Sequence, residues 1–298
     1  MIEADFDGID APVIVACSGG PDSVALLVLA VEAGLEPVAV YVDHRLRPSS
    51  ADDGKVVERA ASELGAAFEP VTVSVGDGGN LEARAREARY AALEECRARR
   101  GASAVLVGHT ADDQAETVLL NLLRGSASPG LAGMPARRDH IARPLLNARR
   151  ADLAALVRAR GLDTVHDPSN DEQAFRRNWL RHEVLPLLSK GADRDLVPVL
   201  VRQASVLRAE SELLDAMADQ LLVEAGDVKP SARVLAAAHP AVARRAVRRW
   251  LGSPPPSLAE VDRVLAVARC EHRATELNGH RRVWRSEGRL HQELASSP

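Results

Sequence analysis

The segment SGGPDS at residues 18–23 combines residue types that could bind a phosphate group. It follows a short apolar run and precedes a longer one, so we predict a buried strand, a tight turn and a helix. Backbone N–H groups converge at such a turn, and the helix N-terminus adds partial positive charge that favours an anion. Gly19 and Gly20 permit close backbone approach, and the hydroxyls of Ser18 and Ser23 could donate to phosphate oxygens.

Asp22 is the unexpected member of this turn, because a carboxylate next to a polyphosphate is repelled by it. A cation between the two groups removes that repulsion, so we predict that Asp22 is a ligand of Mg²⁺. The alternative for any short Gly/Ser turn taken alone is a tight strand-to-helix connection with a capped helix. The chain lacks the GxxxxGK[ST] pattern, so we do not expect a loop that supports hydrolysis of a γ-phosphate.

The first half of the chain repeats a strand-then-helix pattern. We predict strands within 13–17, 37–44, 68–73 and 104–110, each followed by a helix, at 22–32, 51–64, 80–100 and 112–123. This alternation is typical of a parallel sheet with helices on both faces, and therefore of an α/β fold. Ligands of such sheets bind beyond the carboxyl ends of the strands, so we expect the turns after the first, second and fourth strands to share one site.

Polar residues follow the second and fourth predicted strands. Asp43 and His44 lie where an acidic group commonly meets a ribose, and the alternative is a turn aspartate with an exposed histidine. His109 lies just past the fourth strand, where a structural role is the alternative to a functional one. Asp113 and Glu116 are three residues apart on the next helix, so they share a face and could bind an ammonium group. Carboxylates at a helix start are also favoured by the helix dipole alone.

Composition limits the class of protein. The chain has 298 residues, 46% of them apolar, which is enough for one large or two medium globular domains. We find neither a leader-like segment nor an apolar run near the ~18 residues of a membrane span, so we expect a cytoplasmic protein without membrane contact. Cys17, Cys96 and Cys270 are far apart and form no CxxC pair, which argues against a disulfide framework or a metal cluster. We expect Cys17 and Cys96 to pack as small hydrophobic side chains.

The net charge of −4 hides an asymmetry, because residues 1–188 carry −7 and residues 189–298 carry +3. In the second part the strand signal fades and helical spacing prevails, so we predict a second, mostly helical domain over 189–298. Its arginines concentrate in 243–250 and 280–289, next to Trp250 and Trp284. Such clusters suit phosphate contact and base stacking, and solvated helix faces are the alternative.

Six motifs together resemble one family. They are SGGPDS, VDHRLR (42–47), NLEARAREARY (80–90), GHTADDQAETVLLNLLRGS (108–126), RPLL (143–146) and DPSNDEQAFRRNWLR (167–181). SGGxDS is similar to the PP-loop of N-type ATP pyrophosphatases, which GMP synthetase, asparagine synthetase and tRNA thiolases also have. The full set, above all DPSN with the following RRN, resembles the tRNA(Ile)-lysidine synthetases over about residues 12–190. The chain resembles the short members of that family.

The resemblance implies a fold and an activity. The fold is an α/β, parallel-sheet PP-loop ATPase domain of the adenine nucleotide alpha hydrolase-like type over 1–188, with a helical, arginine-rich tRNA-binding domain over 189–298. The activity is an ATP-dependent ligation of L-lysine to C2 of cytidine 34 in the CAU anticodon of tRNA(Ile), through an adenylated cytidine. The lysidine formed changes decoding from AUG to AUA. The alternatives are a PP-loop tRNA thiolase, which the missing cysteine pair disfavours, and a non-catalytic adenine-nucleotide-binding protein.

The resemblance also implies roles for single residues. The expected ATP contacts are Ser18, Gly19, Gly20, Pro21, Asp22, Ser23, Asp43 and His44, with Asp22 holding Mg²⁺. The expected catalytic group is Asp22, His109, Asp113, Glu116, Arg124 and Arg177, in which Asp113 and Glu116 bind the lysine ammonium and the arginines, with Arg181, hold RNA or AMP phosphates. We expect Asn80 to cap a helix, and most of Arg84, Arg86 and Arg89 to pair with glutamates. A homodimer is compatible with the sequence.

Overall fold

The computed structural model describes residues 2–45, 50–74, 81–165 and 175–294. The predicted N-cap Asn80 and the DPSN motif at 167–170 lie outside these residues. Spatial proximity divides the chain into two compact units, Met1–Val206 and Leu207–Pro298. This division falls after the domain boundary that we predicted at residue 188.

The first unit is built on a six-stranded sheet. Its strands are β1 (Val13–Ala16), β2 (Pro37–Asp43), β3 (Ala67–Thr72), β4 (Ala104–Val107), β5 (Arg137–Arg138) and β6 (Ile141–Ala142). They lie in the order β3-β2-β1-β4-β6-β5, and every neighbouring pair is parallel except β5 with β6. The predicted α/β fold with a parallel sheet is therefore confirmed.

Helices connect and extend these strands. In the first unit they are α1 (Pro21–Glu32), α2 (Ser50–Glu63), α3 (Leu81–Arg100), α4 (Ala111–Leu123), α5 (Ser128–Leu131), α6 (Arg150–Ala159), α7 (Phe175–Trp179) and α8 (Leu185–Gly191). A single π-helical turn, Leu180–Val184, joins α7 to α8. The first four helices begin and end within about one residue of their predicted bounds, because period and capping signals agree there.

The sheet is covered on both faces, and side-chain alternation along each strand explains why. In β1, Val13 and Val15 belong to the core under α1, α2 and α6, whereas Ile14 belongs to the core under α3. All three side chains have no exposed surface. Strands buried on both faces read as continuous apolar runs, which is the pattern in this sequence. Cys17 and Cys96 are buried in these two cores, as predicted.

The order of the strands fixes where a ligand can bind. From β1 the chain continues to β2 on one side, and β4 occupies the other side, so β1 and β4 flank a topological switch point. Ala16 at the end of β1 pairs with Val107 at the end of β4, so the turns that follow both strands begin at the same level. A crevice at this point is the usual ligand site of open α/β sheets.

The second unit combines helices with a small sheet. Helix α9 (Val197–Ala225) contains the division between the units, and α10 (Ala232–Ala237), α11 (Pro240–Leu251) and α12 (Leu258–Ala268) follow. Strands β7 (Ala274–Leu277), β8 (Arg281–Ser286) and β9 (Arg289–Leu294) form an antiparallel sheet that the sequence analysis did not predict. Among the described residues, no helix is long and apolar enough to cross a bilayer.

Candidate active site

The loop between β1 and α1 has the backbone of an anion-binding turn. Gly19 adopts a positive φ of 85°, and Gly20 is the N-cap of α1 with extended geometry. No side chain caps this helix, and Pro21 stands at its start, where its missing N–H costs nothing. The uncapped N-terminus leaves its positive end to a ligand, and the exposed Ser18 lies beside it.

Ser23 has a different role from the one we predicted. Its side chain is buried, and its hydroxyl donates to the carbonyl oxygen of Gly20 at 2.9 Å. The hydroxyl oxygen of Ser23 also accepts from the backbone N–H of Ser18 at 3.2 Å. The prediction that Ser23 donates to phosphate is therefore corrected, because its one hydroxyl proton is already used to close the loop.

Gly19 is required by its surroundings as well as by its φ. A Cβ atom at this position would lie 2.7 Å from Cγ2 of Val165, closer than atoms can pack. The carbonyl oxygen of Gly19 also accepts a hydrogen bond from the backbone N–H of Val165 at 2.9 Å. The segment that follows α6 is therefore hydrogen-bonded to the loop between β1 and α1.

The two carboxylate oxygens of Asp22 have different surroundings. Its Oδ2 accepts from Nε of Arg150 at 3.1 Å, while its Oδ1 is buried without a hydrogen-bond partner among the described residues. Burial raises the pKa of Asp22 to about 6, although Arg150 works in the opposite direction. A buried carboxylate oxygen without a partner fits a metal ligand. Among the described residues, no group of three or more Asp, Glu, His or Cys side chains is placed so that it could hold a metal ion, so phosphate and water oxygens would complete a Mg²⁺ shell.

The turn after β4 meets the first loop closely. A Cβ on Gly108 would lie 3.1 Å from the backbone oxygen of Asp22, so a glycine lets the two turns touch. The neighbouring His109 is largely buried, and this burial lowers its pKa to about 4. Its Nδ1 has no hydrogen-bond partner among the described residues. His109 is therefore a neutral imidazole near pH 7.

Asp113 is shared between a helix cap and the site. Its Oδ2 accepts from the backbone N–H and from the hydroxyl of Thr110, both at 2.8 Å, which is one half of a capping box. Its Oδ1 accepts from Nη2 of Arg150 at 2.6 Å. Although burial opposes it, Arg150 together with the Thr110 hydrogen bonds lowers the pKa of Asp113. The capping alternative is thus correct for one oxygen only.

Glu116 is the most deeply buried acid of the cluster, with its side chain 1% exposed. Nε of Arg181 donates to its Oε1 at 2.7 Å, and Nη1 of Arg150 lies 3.7 Å from the same oxygen. Leu180, next to Arg181, is fully buried against α4, which fixes the π-helical turn in place. Asp113 and Glu116 do share one face, as the i, i+3 spacing predicts.

Arg150 is the residue that the sequence analysis missed. Its guanidinium contacts Asp22, Asp113 and Glu116, and its backbone N–H donates to Oδ2 of Asp112 at 2.9 Å. Burial alone would lower its pKa, but the three carboxylates raise it. The sequence analysis predicted no helix at 150–159, and an arginine at the first position of this helix, where the helix dipole disfavours positive charge, is informative only once the helix is known.

The second strand end also differs from expectation in detail. Asp43 Oδ1 accepts from the backbone N–H of Arg45 at 2.7 Å, the turn role that we named as the alternative. His44 is half-buried, and Nε of Arg89 lies 3.3 Å from its Nε2. Arg86 lies over the ring of Tyr90, 5.0 Å from its centroid. Arg86 thus contacts an aromatic ring and Arg89 an imidazole, and for neither does a pairing with glutamate occur among the described side chains.

Two predicted arginines lie apart from the acidic cluster. Arg124 is the exposed C-cap of α4, eleven residues after Asp113, which places it ~17 Å along the helix axis. Arg177 is exposed on α7, and its charge contributes to the lowered pKa of His109. The position of Arg124 therefore gives no support for a role at the reacting atoms. Arg177 lies close enough for its charge to act on His109.

The arginine clusters of the second unit are mostly engaged within that unit. Arg244 pairs with Asp262, Arg245 and Arg249 with Asp215, while Arg281, Arg285 and Arg289 donate to the backbone oxygens of Leu251, Ala268 and Lys229. Trp250 is buried, and its Nε1 donates to the oxygen of Val228 at 3.2 Å. The prediction that Trp250 stacks on bases is therefore wrong.

One face of the small sheet keeps the features that we predicted for RNA contact. Arg273, Arg282 and Trp284 line a shallow groove there, together with Arg285 and Glu293. The ring of Trp284 stacks on His291 with centroids 5.3 Å apart, which fixes its orientation. Within the second unit, this groove is therefore a better candidate for contact with RNA phosphates than α11 is.

Comparison with known proteins provides independent evidence. A family model described as a PP-loop domain matches residues 7–188. The tRNA(Ile)-lysidine synthase of Thermobifida fusca is 43% identical over 221 residues, which cover 72% of this chain and 68% of that protein. The tRNA(Ile)-lysidine synthase of Salinispora tropica is 41% identical over 298 residues, which cover 94% and 90%.

A solved structure shares the fold. The U34-tRNA thiolase NcsA from Methanococcus maripaludis, with its [4Fe-4S] cluster, superposes with a TM-score of 0.59 at 17% identity. The match covers 69% of this chain and 75% of the thiolase. At this identity the likeness describes the architecture alone.

Proposed function

The chain belongs to the tRNA(Ile)-lysidine synthase family of PP-loop proteins, and from this premise we propose that it makes lysidine. The reaction joins free L-lysine to C2 of cytidine 34 in the CAU anticodon of tRNA(Ile), and it converts ATP to AMP and pyrophosphate. Decoding then changes from AUG to AUA. Since ATP, lysine and tRNA are its substrates, we place the protein in the cytoplasm.

The observation that carries this proposal is that the carboxylate of Asp22 lies close to those of Asp113 and Glu116 at the switch point of the sheet. Asp22 belongs to the helix that follows the phosphate-binding loop, while Asp113 and Glu116 belong to the helix that follows β4. All three contact the guanidinium of Arg150. A site for ATP and a site for a cationic amine are thus adjacent, as a ligation of lysine requires.

The first step is the adenylation of cytidine. The C2 oxygen attacks the α-phosphorus of ATP, the bond to the β-phosphate breaks, and pyrophosphate leaves. The backbone of Gly19 and Gly20 and the uncapped start of α1 would bind the leaving phosphates as one unit. When bound, Mg²⁺ held by Asp22 would offset charge on the phosphates. Adenylation turns a poor leaving oxygen into a phosphate ester that can depart.

The second step is the attack of the lysine amine. The ε-amine adds to C2, the bond between C2 and its former carbonyl oxygen breaks, and AMP leaves with that oxygen. Asp113 and Glu116 bind the ε-ammonium before reaction, and the charges in the cluster permit this. Three carboxylates and the guanidinium groups of Arg150 and Arg181 leave one negative charge, which one ammonium neutralises. The amine must lose a proton before it attacks, so a neighbouring group accepts one.

The RNA must present its wobble base to this site. The anticodon loop is single-stranded, so its bases can turn outward, whereas stems are bound mainly through phosphates. Arg177 is exposed near the site, Arg124 at the far end of α4, and the groove at Arg273 and Arg282 offers further positive charge. We assign tRNA phosphate contacts to these four arginines.

Light scattering of the purified protein would show whether the chain forms a homodimer.

A direct assay tests the proposal. Purified protein is incubated with ATP, Mg²⁺, labelled lysine and a tRNA(Ile) transcript bearing CAU, and the RNA is isolated. We expect label in the RNA only when ATP is present, and none in a transcript with uridine at position 34. Absence of label with a folded, nucleotide-binding protein would contradict the proposal.

The two alternatives are less well supported. A thiolase with a cysteine-bound cluster needs neighbouring cysteines, but Cys17 and Cys96 lie in the cores on opposite faces of the sheet. A nucleotide-binding protein without activity would not need Asp113 and Glu116 next to Asp22. Consumption of ATP without lysine in the product would favour a rival.

A further inference from the structure

We propose that Arg150 is a positioning residue that links the two steps of the reaction. This inference rests on the proposed function. Its guanidinium has three nitrogen atoms, and each faces a different carboxylate: Nε faces Asp22 at 3.1 Å, Nη2 faces Asp113 at 2.6 Å, and Nη1 faces Glu116 at 3.7 Å. One side chain therefore contacts the acid of the ATP loop and both acids of the lysine site.

The setting of Arg150 explains why it can hold these groups in place. Its side chain is 28% exposed, and those of Asp22 and Asp113 are 23% and 18% exposed. Its backbone is fixed because Asp112 accepts from its N–H, and Asp112 is in turn held by Arg149. A planar guanidinium with fixed direction can orient several carboxylates at once, which a lysine ammonium on a flexible stem cannot do.

Without Arg150 the carboxylates would repel one another. Asp22 and Asp113 come from different helices, and both contact one guanidinium, so their like charges lie close enough to repel each other. Arg150 opposes this repulsion and so keeps the ATP end and the lysine end at a fixed separation. The amine and the adenylated C2 must meet with good alignment, and small displacements of positioning groups cost much of the rate.

Arg181 provides an internal comparison. It contacts Glu116 at 2.7 Å and Asp113 at 3.8 Å, and no contact between Arg181 and Asp22 occurs among the described residues. Its loss should therefore impair the lysine step alone, whereas the loss of Arg150 should impair both steps. A purely structural role of Arg150 would lower the amount of folded protein without separating the two steps.

The experiment measures each step separately in full-length protein. Adenylation is followed by transfer of α-labelled AMP to the tRNA without lysine. Lysine transfer is followed with adenylated tRNA that the wild type has made and that is then isolated. The variants are Arg150→Ala, Arg150→Lys and Arg181→Ala. Arg158→Ala is the matched control, because Arg158 is exposed on the same helix α6 and contacts none of the three carboxylates among the described residues.

We expect both Arg150 variants to lose about tenfold or more in each step, the size of one charge-assisted hydrogen bond. Arg181→Ala should raise KM for lysine about tenfold and leave adenylation within about twofold of wild type. Guanidinium ion at millimolar concentration should restore part of the activity of Arg150→Ala, and it should leave the activity of Arg158→Ala unchanged. Folding of each variant is checked by thermal unfolding.

Three outcomes would overturn the inference: Arg150 variants that match Arg158→Ala, loss in one step only, or full activity of Arg150→Lys. If the wild type adenylates no tRNA, the proposed function itself fails. The wild-type measurement therefore separates the two kinds of failure.

Discussion

Gly19→Ala is the substitution that tests the phosphate loop most quantitatively. The backbone at this residue has a φ of 85°, and the new Cβ would lie 2.7 Å from Cγ2 of Val165. The variant therefore carries two penalties, one from the backbone conformation and one from the overlap. Because Val165 also donates its N–H to Gly19 at 2.9 Å, the loop cannot relieve the overlap by moving away without losing that hydrogen bond.

The magnitude follows from these two penalties. A non-glycine residue in the left-handed region costs ~1–2 kcal/mol, and overpacking of a well-packed site costs ~1–3 kcal/mol. We expect Gly19→Ala to lower the free energy of unfolding by about 3 kcal/mol, an intermediate combination of the two. Val165→Ala in the same background removes the 2.7 Å overlap with Cγ2, but a tight contact of 3.2 Å with the Cβ of residue 165 and the backbone penalty remain. The double variant should therefore be more stable than Gly19→Ala by about 1 kcal/mol or more.

The assay is urea unfolding of four proteins: wild type, the two single variants and the double variant. ATP affinity is measured on the same set by calorimetry with Mg²⁺. We expect Gly19→Ala to weaken ATP binding at least about tenfold, because a displaced backbone loses N–H groups aimed at the phosphates. Additive stability changes, within about 0.5 kcal/mol, would show that Val165 does not restrain the loop. Unchanged ATP affinity in a folded Gly19→Ala protein would refute the role of the loop.

Three further predictions concern the site and the RNA surface. Asp22→Ala should lose adenylation about a hundredfold, whereas Glu116→Ala should slow lysine transfer and let adenylated tRNA accumulate; gel analysis of α-labelled RNA distinguishes the two, and the reverse pattern would disprove the assignment. His109 should lower the free energy of unfolding as pH drops from 6.5 towards 4, by at most ~3 kcal/mol, because the unfolded chain takes up a proton that buried His109 with a pKa of about 4 does not, whereas Asp22, whose pKa burial raises to about 6, contributes with the opposite sign. Between pH 7 and pH 5, the free energy of unfolding of the wild type should fall relative to that of His109→Gln, and an equal change in both proteins would contradict the shift. Arg273→Glu with Arg282→Glu should weaken tRNA binding about tenfold or more and reduce its salt dependence, without changing ATP affinity.

The control for the RNA prediction is Arg233→Glu, a charge reversal on α10 of the same unit. We expect it to weaken tRNA binding only slightly, since long-range repulsion is screened at physiological salt. Equal effects of the two charge reversals would mean that net charge, and not the groove at Trp284, determines the affinity.

Much of the fold could be predicted from the sequence because local signals agreed with one another there. The apolar runs of β1, β2 and β4 are buried on both faces, and the helices between them begin at strong start signals. Thr110 with Asp113 is one such signal, since it forms a capping box at the start of α4. The adjacency of the loops after β1 and β4 then followed from the rule for parallel sheets.

The errors arose where a tertiary contact decides the role of a side chain. Ser23 reads as a phosphate donor, but its hydroxyl bonds Gly20 inside the loop. Arg150 is one arginine in an arginine-rich chain, and only the fold brings it to three acids from two other helices. Arg and Trp residues in 243–250 read as an RNA surface, yet Trp250 faces the core and Arg245 pairs with Asp215.

The small sheet of the second unit was missed for a related reason. Strand β8, with sequence RRVWRS, contains one aliphatic residue, Val283, which is fully buried. A single inward position gives almost no period-two signal, so the segment was interpreted as an arginine cluster. The cross-strand stack of Trp284 on His291 becomes visible only when β8 and β9 are paired.

The most direct measurement of the central claim follows the α-phosphate of ATP. The protein is incubated with Mg²⁺, a CAU-bearing tRNA(Ile) transcript and ATP labelled at the α-phosphate, with lysine omitted. The account predicts that label appears on the RNA, that γ-labelled ATP gives none, and that later addition of lysine releases the label as AMP. Label that appears only as ADP, or RNA that stays unlabelled with folded protein, would contradict it.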